Sequence, residues 1–181
     1  MSTGRGWERE LYPNGGGPVP PDTILQIIQA GKGWIDVVSQ EGKVRRAGGS
    51  LSWRYHNPGN IKFGKFAQAH GSIGPGWGNH AVFPDYETGL YAQQTLLFSN
   101  QSRYVSMTIR DAIATYAPIS DTGLGVPQGG NQPLKYASWL AKNLNVDINT
   151  RLVDLHPELQ QRMVKLMNVY EGHKIGSINF I

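Results

Sequence analysis

Behind Asp22 the apolar residues Ile24, Leu25, Ile27 and Ile28 recur at a helical spacing, and Asp is a favoured N-cap. Gly31 and Gly33 interrupt the pattern. Trp34, Ile35, Val37 and Val38 then resume it up to Glu41 and Gly42, so the stretch predicts a helix, a kink and a second helix. From Lys43 to Phe83 the period disappears while glycines and aromatics accumulate, which predicts short strands and turns and is the natural place for a binding surface. Beyond it the chain reads as helical again. Asp85 caps one segment reaching about Asn100, and Thr108 with Asp111 opens another that stops before Pro118. After a Pro- and Gly-rich loop, a third carries Tyr136, Trp139 and Leu140, and Pro157 with Glu158 opens a last one ending at Glu171 and Gly172. Residues 1–21, with Gly15 to Gly17 and Pro18, Pro20 and Pro21, have the composition of an arm or linker. One domain over residues 22–181 is expected.

Composition narrows the chemistry. The chain has 181 residues, a formal charge of +4 and no cysteine, which excludes disulfides, thiolate catalysis and cysteine-ligated zinc. A pI near 9.4 favours anionic partners. Only Lys43, Arg45 and Arg46 approach a cluster, too few for a nucleic-acid groove. His56, His70, His80, His156 and His173 lack helical ligand spacing, and no nucleophile elbow or phosphate-binding loop is present. No cofactor is expected. The polar first residues carry no secretory signal and no apolar run is long enough for a membrane span, so synthesis in the cytoplasm is expected.

The carboxylates can be sorted by local field. Asp22, Asp85, Glu87, Asp111 and Glu158 fall at predicted helix starts, where free N–H groups stabilise the ionised form. Asp36, Asp147 and Asp154 have no aromatic neighbours in sequence and read as solvated surface residues. Glu41 and Glu171 differ, because each closes a predicted helix before a glycine, where the negative end of the helix dipole opposes a carboxylate and raises its pKa. Glu41 is favoured by its downstream neighbours, since the segment from Gly48 to Ile61 is dense in aromatics and amides, whereas Glu171 precedes a short tail.

Within that segment Ser52 to Ile61, S-W-R-Y-H-N-P-G-N-I, resembles the W-R-N-N-N-P-G-N-I signature of phage- and secretion-associated peptidoglycan-degrading proteins. Gly71 to Gly74 (G-S-I-G), Ala81 to Gly89 (A-V-F-P-D-Y-E-T-G), Thr115 to Pro118 (T-Y-A-P) and Tyr170 to Gly176 (Y-E-G-H-K-I-G) extend the resemblance over roughly residues 32–176. More distantly, the pattern is similar to flagellar and autolysin glucosaminidases, in which a glutamate ends a helix before an N-x-F-G-I-K segment. That likeness places the acid at Glu41. His56 stands where the signature has asparagine, and Ile119, Ser120 and Asp121 stand where relatives show E-N-D-T.

The resemblance implies a lysozyme-like fold, mainly α (α+β), with a small irregular β region from about Lys43 to Phe83 forming one wall of a cleft. It implies cleavage of the peptidoglycan glycan strand, as a muramidase, a lytic transglycosylase or a glucosaminidase, with Glu41 as general acid. Arg54, Asn57, Asn60, Trp77, Tyr116 and Tyr136 are the expected substrate contacts, and Glu171, Asp121 and Glu87 the candidates for a second acid. N-P-G-N reads equally as a tight turn. The expected partners are peptidoglycan, a delivery apparatus (phage particle or secretion system) and an immunity protein. A silent wall-binding or virion structural protein is the competing reading.

Overall fold

The computed structural model describes residues 21–120 and 130–181. Nearly all of the predicted arm, and Asp121, lie outside the described residues. The helix-kink-helix expectation fails for residues 24–42: β1 (Ile24–Gly31) and β2 (Trp34–Ser39) are antiparallel strands, joined by β3 (Gly42–Ala47) in the stretch where short strands were expected. Farther along come α1 (Leu51–Arg54), α2 (Lys65–Ala69) and a small hairpin of β4 (Gly74–Pro75) and β5 (Ala81–Val82). Helices α3 (Tyr86–Phe98), α4 (Ile109–Tyr116), α5 (Pro133–Leu144) and α6 (Pro157–Glu171) come next, and β6 (Ser177–Phe180) closes the chain.

β6 pairs with β3, so the sheet runs β1-β2-β3-β6 and is four-stranded and antiparallel throughout. The mainly helical, lysozyme-like expectation with only a small irregular β region is therefore corrected to a mixed helix-and-sheet fold. The misreading has a physical cause. Pairing of β1 with β2 shifts register between Ile24 and Gln26 and again between Ile27 and Gln29. Each bulge inserts a residue, converting the alternation of a strand into the three-residue spacing of Ile24, Ile27 and Ala30 on the inner face. That spacing imitates a helix. β2 and β3 alternate normally, with Ile35, Val37 and Val44 inward against Leu51, Tyr55 and Val82. The glycines taken as a kink belong to the tight β1-β2 turn, where Gly33 has φ +83°.

On the outer face Asp36 is buried rather than solvated. Arg45 grips it through Nε at 2.6 Å and a terminal nitrogen at 2.8 Å, Gln29 donates to it at 2.7 Å, and Arg45 also lies 4.2 Å from the Trp34 ring centre. The Arg45 guanidinium, followed by Gln29, holds the Asp36 carboxyl below the usual range against the opposing effect of burial.

The helical half obeys its sequence signals. Asp85 accepts from the Thr88 N–H and Thr108 from the Asp111 N–H, each as an N-cap. Pro157 opens α6, and Gly172 at φ +79° ends it. Leu97, Ile113, Leu140, Met163 and Met167 form the centre of this half. A smaller cluster of Ile61, Ala67, Ala81, Phe83 and Ala92 joins the turn after α1 to α3. Among the described residues no helix is long and apolar enough to cross a membrane.

Two of the motifs that carry the resemblance meet here. α3 presses on the H-N-P-G-N turn at Gly89, where an added Cβ would lie 1.9 Å from the His56 carbonyl oxygen. Backbone cannot yield as a flexible side chain can. Gly89→Ala is expected to lower stability by about 3 kcal/mol or more, read as a shift in the urea midpoint. A shift within experimental error would show that α3 and the turn are not in this tight contact.

Candidate active site

The segment from Asn57 to Asn60 is a tight turn, closed by the Asn60 N–H donating to Asn57 O at 3.1 Å. Asn57 is fully buried, and its side chain holds the turn in place. Its amide donates to the carbonyls of Ile61 and Ala81 at 2.9 Å each, and its Oδ1 accepts the Ile61 N–H at 2.9 Å. Both amide hydrogens and one lone pair of Oδ1 are spent on backbone. Asn57 is thus a structural residue rather than a substrate contact. Arg54 is structural too, since it is buried and donates to the carbonyls of Gly48 and Gly49 at 2.7 and 2.8 Å.

Asn60 has another part. It sits at φ +48°, a left-handed conformation that asparagine tolerates, and its amide donates to Glu171 Oε2 at 3.2 Å. From the far side the Tyr136 hydroxyl donates to Glu171 Oε1 at 2.8 Å, with the Met167 carbonyl at 3.4 Å. Tyr136 stacks face to face on Tyr170, ring centres 4.0 Å apart. Tyr116 donates to the Gly59 carbonyl at 2.6 Å, bracing the residue that precedes Asn60. Of the expected site residues, Asn60, Tyr116, Tyr136 and Glu171 therefore form one constellation.

Glu171 is the last residue of α6 and keeps partial exposure, yet its carboxyl is densely surrounded. Burial pushes its pKa from the ordinary 4.5 up to about 7, against the opposing pull of the hydrogen bonds from Tyr136 and Asn60. Burial, followed by the nearby Glu171 charge, raises the Tyr116 and Tyr136 hydroxyls well above their ordinary range, so both stay protonated donors. The carboxyl borders a cavity of about 50 Å3 with Ser50, Ser52, Pro58, Asn60 and Asn168 on its walls. Glu171 is the single carboxylate among the described residues that line it.

The remaining expectations fall elsewhere. Glu41 is not at a helix end; it lies in the turn between β2 and β3, exposed, where its N–H donates to Ser39 Oγ at 3.2 Å. The helix-end premise that placed the acid there is corrected, and Glu171 is the glutamate at which that premise holds. Glu87 is exposed in the first turn of α3. Trp77, 47% exposed at the tip of the β4-β5 hairpin, does not line the cavity beside Glu171.

Sequence reasoning passed over Ser50, Ser52, Asn168 and His173. Ser50 Oγ lies 2.9 Å from Ser52 Oγ and accepts the Lys174 N–H at 3.1 Å, while Ser52 Oγ lies 3.2 Å from His173 Nδ1. These contacts tie the end of α6 to the start of α1. Asn168 stands three residues before Glu171 in α6, a spacing that puts the two on neighbouring positions of one helix face. That was the available signal. No protein-family model matches the chain, and no curated protein matches it.

The division of roles between the two asparagines can be measured. Asn57→Ala leaves buried backbone groups unpaired and is expected to cost about 3 kcal/mol in a thermal or urea melt, whereas Asn60→Ala should cost much less. Equal losses would contradict the division. Because the folded pKa of Glu171 is raised, folding favours its protonated form. That stability is present below the ordinary value of 4.5 and is lost as pH rises through about 7. The loss should approach about 3 kcal/mol, and Glu171→Gln should abolish this part of the pH dependence of unfolding. A wild-type and variant difference that stays constant between those pH values would refute a raised pKa.

Proposed function

We propose that this protein cleaves the glycan strand of peptidoglycan and that Glu171 is its general acid. The observation that carries the reading is a helix-ending carboxyl, desolvated to a pKa of about 7, held by Tyr136 and Asn60 at the edge of an open cavity. A carboxylic acid half-protonated near neutral pH can give a proton to a glycosidic oxygen and still exist in the form that takes one back. The positive net charge suits an anionic wall. The resemblance of the H-N-P-G-N segment to wall-degrading proteins points the same way, now through Asn60.

Proton transfer from Glu171 to the leaving oxygen would accompany formation of an oxocarbenium-like sugar. As the proton departs, the hydrogen bonds from Tyr136 and Asn60 strengthen toward the new carboxylate and stabilise it. One carboxylate on the cavity wall suffices where the substrate's own hydroxyl closes on the anomeric carbon, the transglycosylase outcome. Water would complete the reaction in a muramidase or glucosaminidase. Muropeptide mass spectrometry separates anhydro ends from reducing ends and identifies the terminal sugar.

Glu171→Gln is expected to lower the rate of wall solubilisation at least about a hundredfold with the fold intact by circular dichroism. The wild-type rate should fall as pH rises above about 7, where the acid is ionised. Glu41→Gln is the paired control and should leave the rate unchanged. A greater loss at Glu41 than at Glu171 would return the acid to the hairpin, and absence of solubilisation by the wild-type protein would favour a silent wall-binding role.

A further inference from the structure

A second, larger cavity of about 690 Å3 opens beside the first, and Asn168 and Gly172 line both. The two are therefore neighbours at the end of α6. The cavity at Glu171 measures about 50 Å3, whereas the larger one falls within the size of ordinary ligand sites. A ligand larger than the first cavity has this groove beside it.

Its walls differ from those expected for a bare sugar. Tyr86 and Leu90 of α3 and Val169 of α6 give an apolar floor. Lys165 brings an exposed cation, and no carboxylate is among the described residues that line the groove. Asn168 has a buried Oδ1 with no hydrogen-bond partner among the described residues, an acceptor suited to an amide N–H. His173, with its imidazole held below the ordinary pKa by desolvation and then by His56, adds no second charge near neutral pH. A hydroxyl-rich saccharide makes little use of a floor with a leucine and a valine, and a bare strand offers Lys165 only the lactyl carboxylate of its muramic acid. A short peptide with side-chain methyl groups, amide N–H groups and free carboxylates uses all of them.

We infer that this groove binds the carboxylate-bearing stem peptide attached to the glycan, with Lys165 pairing its carboxylate and Asn168 accepting from a peptide amide, so that the protein selects peptide-substituted over bare strands. This inference rests on the glycan-cleaving reading of Glu171 for the identity of the strand. It assigns a specificity that the Glu171 constellation alone does not supply.

The test is calorimetric binding of a GlcNAc-MurNAc-tripeptide and of the same bare disaccharide with its lactyl carboxyl capped as a simple amide in place of the peptide, to wild-type protein and to Lys165→Glu, Lys165→Ala and Lys165→Arg. Lys165 is exposed, so the variants should melt as the wild type does. The peptide-bearing ligand is expected to bind at least about tenfold more tightly than the bare disaccharide. Lys165→Glu and Lys165→Ala should remove that advantage and Lys165→Arg should keep most of it. Equal affinity for the two ligands, or an advantage that survives Lys165→Glu, would overturn the inference even if sacculi are solubilised. Should the peptide-dependent affinity persist while Glu171→Gln solubilises sacculi as fast as the wild type, the groove assignment would stand and the acid assignment would fall.

Discussion

The buried amide of Asn57 is the interaction on which the site depends. It bonds across the neck of its own turn to Ile61 and across to Ala81 on β5, so the turn is fastened to the small hairpin as well as to itself. α3 then closes on the turn at Gly89, and Tyr116 fixes the Gly59 carbonyl from α4. With three neighbours determining it, the backbone of Asn60 can remain in a left-handed conformation and aim its amide at a carboxylate 111 residues away in sequence. Without Asn57 the same tetrapeptide would be an ordinary surface turn, and Glu171 would lose one of its two side-chain donors.

The electrostatics of Glu171 are a contest between opposed effects in which desolvation prevails. Desolvation favours the neutral acid, while Tyr136 and Asn60 favour the anion, and the outcome near neutrality comes from neither alone. Both donors are themselves constrained. Tyr136 is buried and stacked on Tyr170, and the backbone of Asn60 is held by the turn, so both donors start from fixed positions. Donors that remain in place through a change of charge require little reorganisation, which is what preorganised acid catalysis needs.

How far the sequence could be read depended on which signals were local. The helices from α3 onward were legible because Asp85, Thr108, Pro157 and Gly172 act on their own neighbours, and the structure places each at the terminus it marks. The stretch from Ile24 to Gly42 was not, because two bulges gave β1 a three-residue apolar spacing and the tight β1-β2 turn supplied glycines that looked like a kink. That one misreading had a long reach, since it made Glu41 a helix end. The principle applied to Glu41, a carboxyl at the negative end of a helix beside an aromatic, amide-rich segment, describes Glu171 instead. What sequence distance concealed was that the segment from Ser50 to Asn60 and the end of α6 are neighbours in space.

That neighbourhood is the work of the sheet. After Gly172 the chain runs past α1, where Ser50 binds Lys174 through backbone and side chain, and enters β6 against β3. The pairing of Ala47 with Ser177 and of Val44 with Phe180 anchors the far end of a short tether whose near end is Glu171. An acid on the last residue of a helix would ordinarily sit on a fraying turn, free to reach water and ionise at its ordinary pKa. Here the residues beyond it are committed to a strand, and His173 and Lys174, directly after the helix end, meet Ser52 and Ser50. The strand pairing that sequence patterning did not anticipate thus fixes the path of the chain just beyond Glu171, on the side where Ser50 and Ser52 line its cavity.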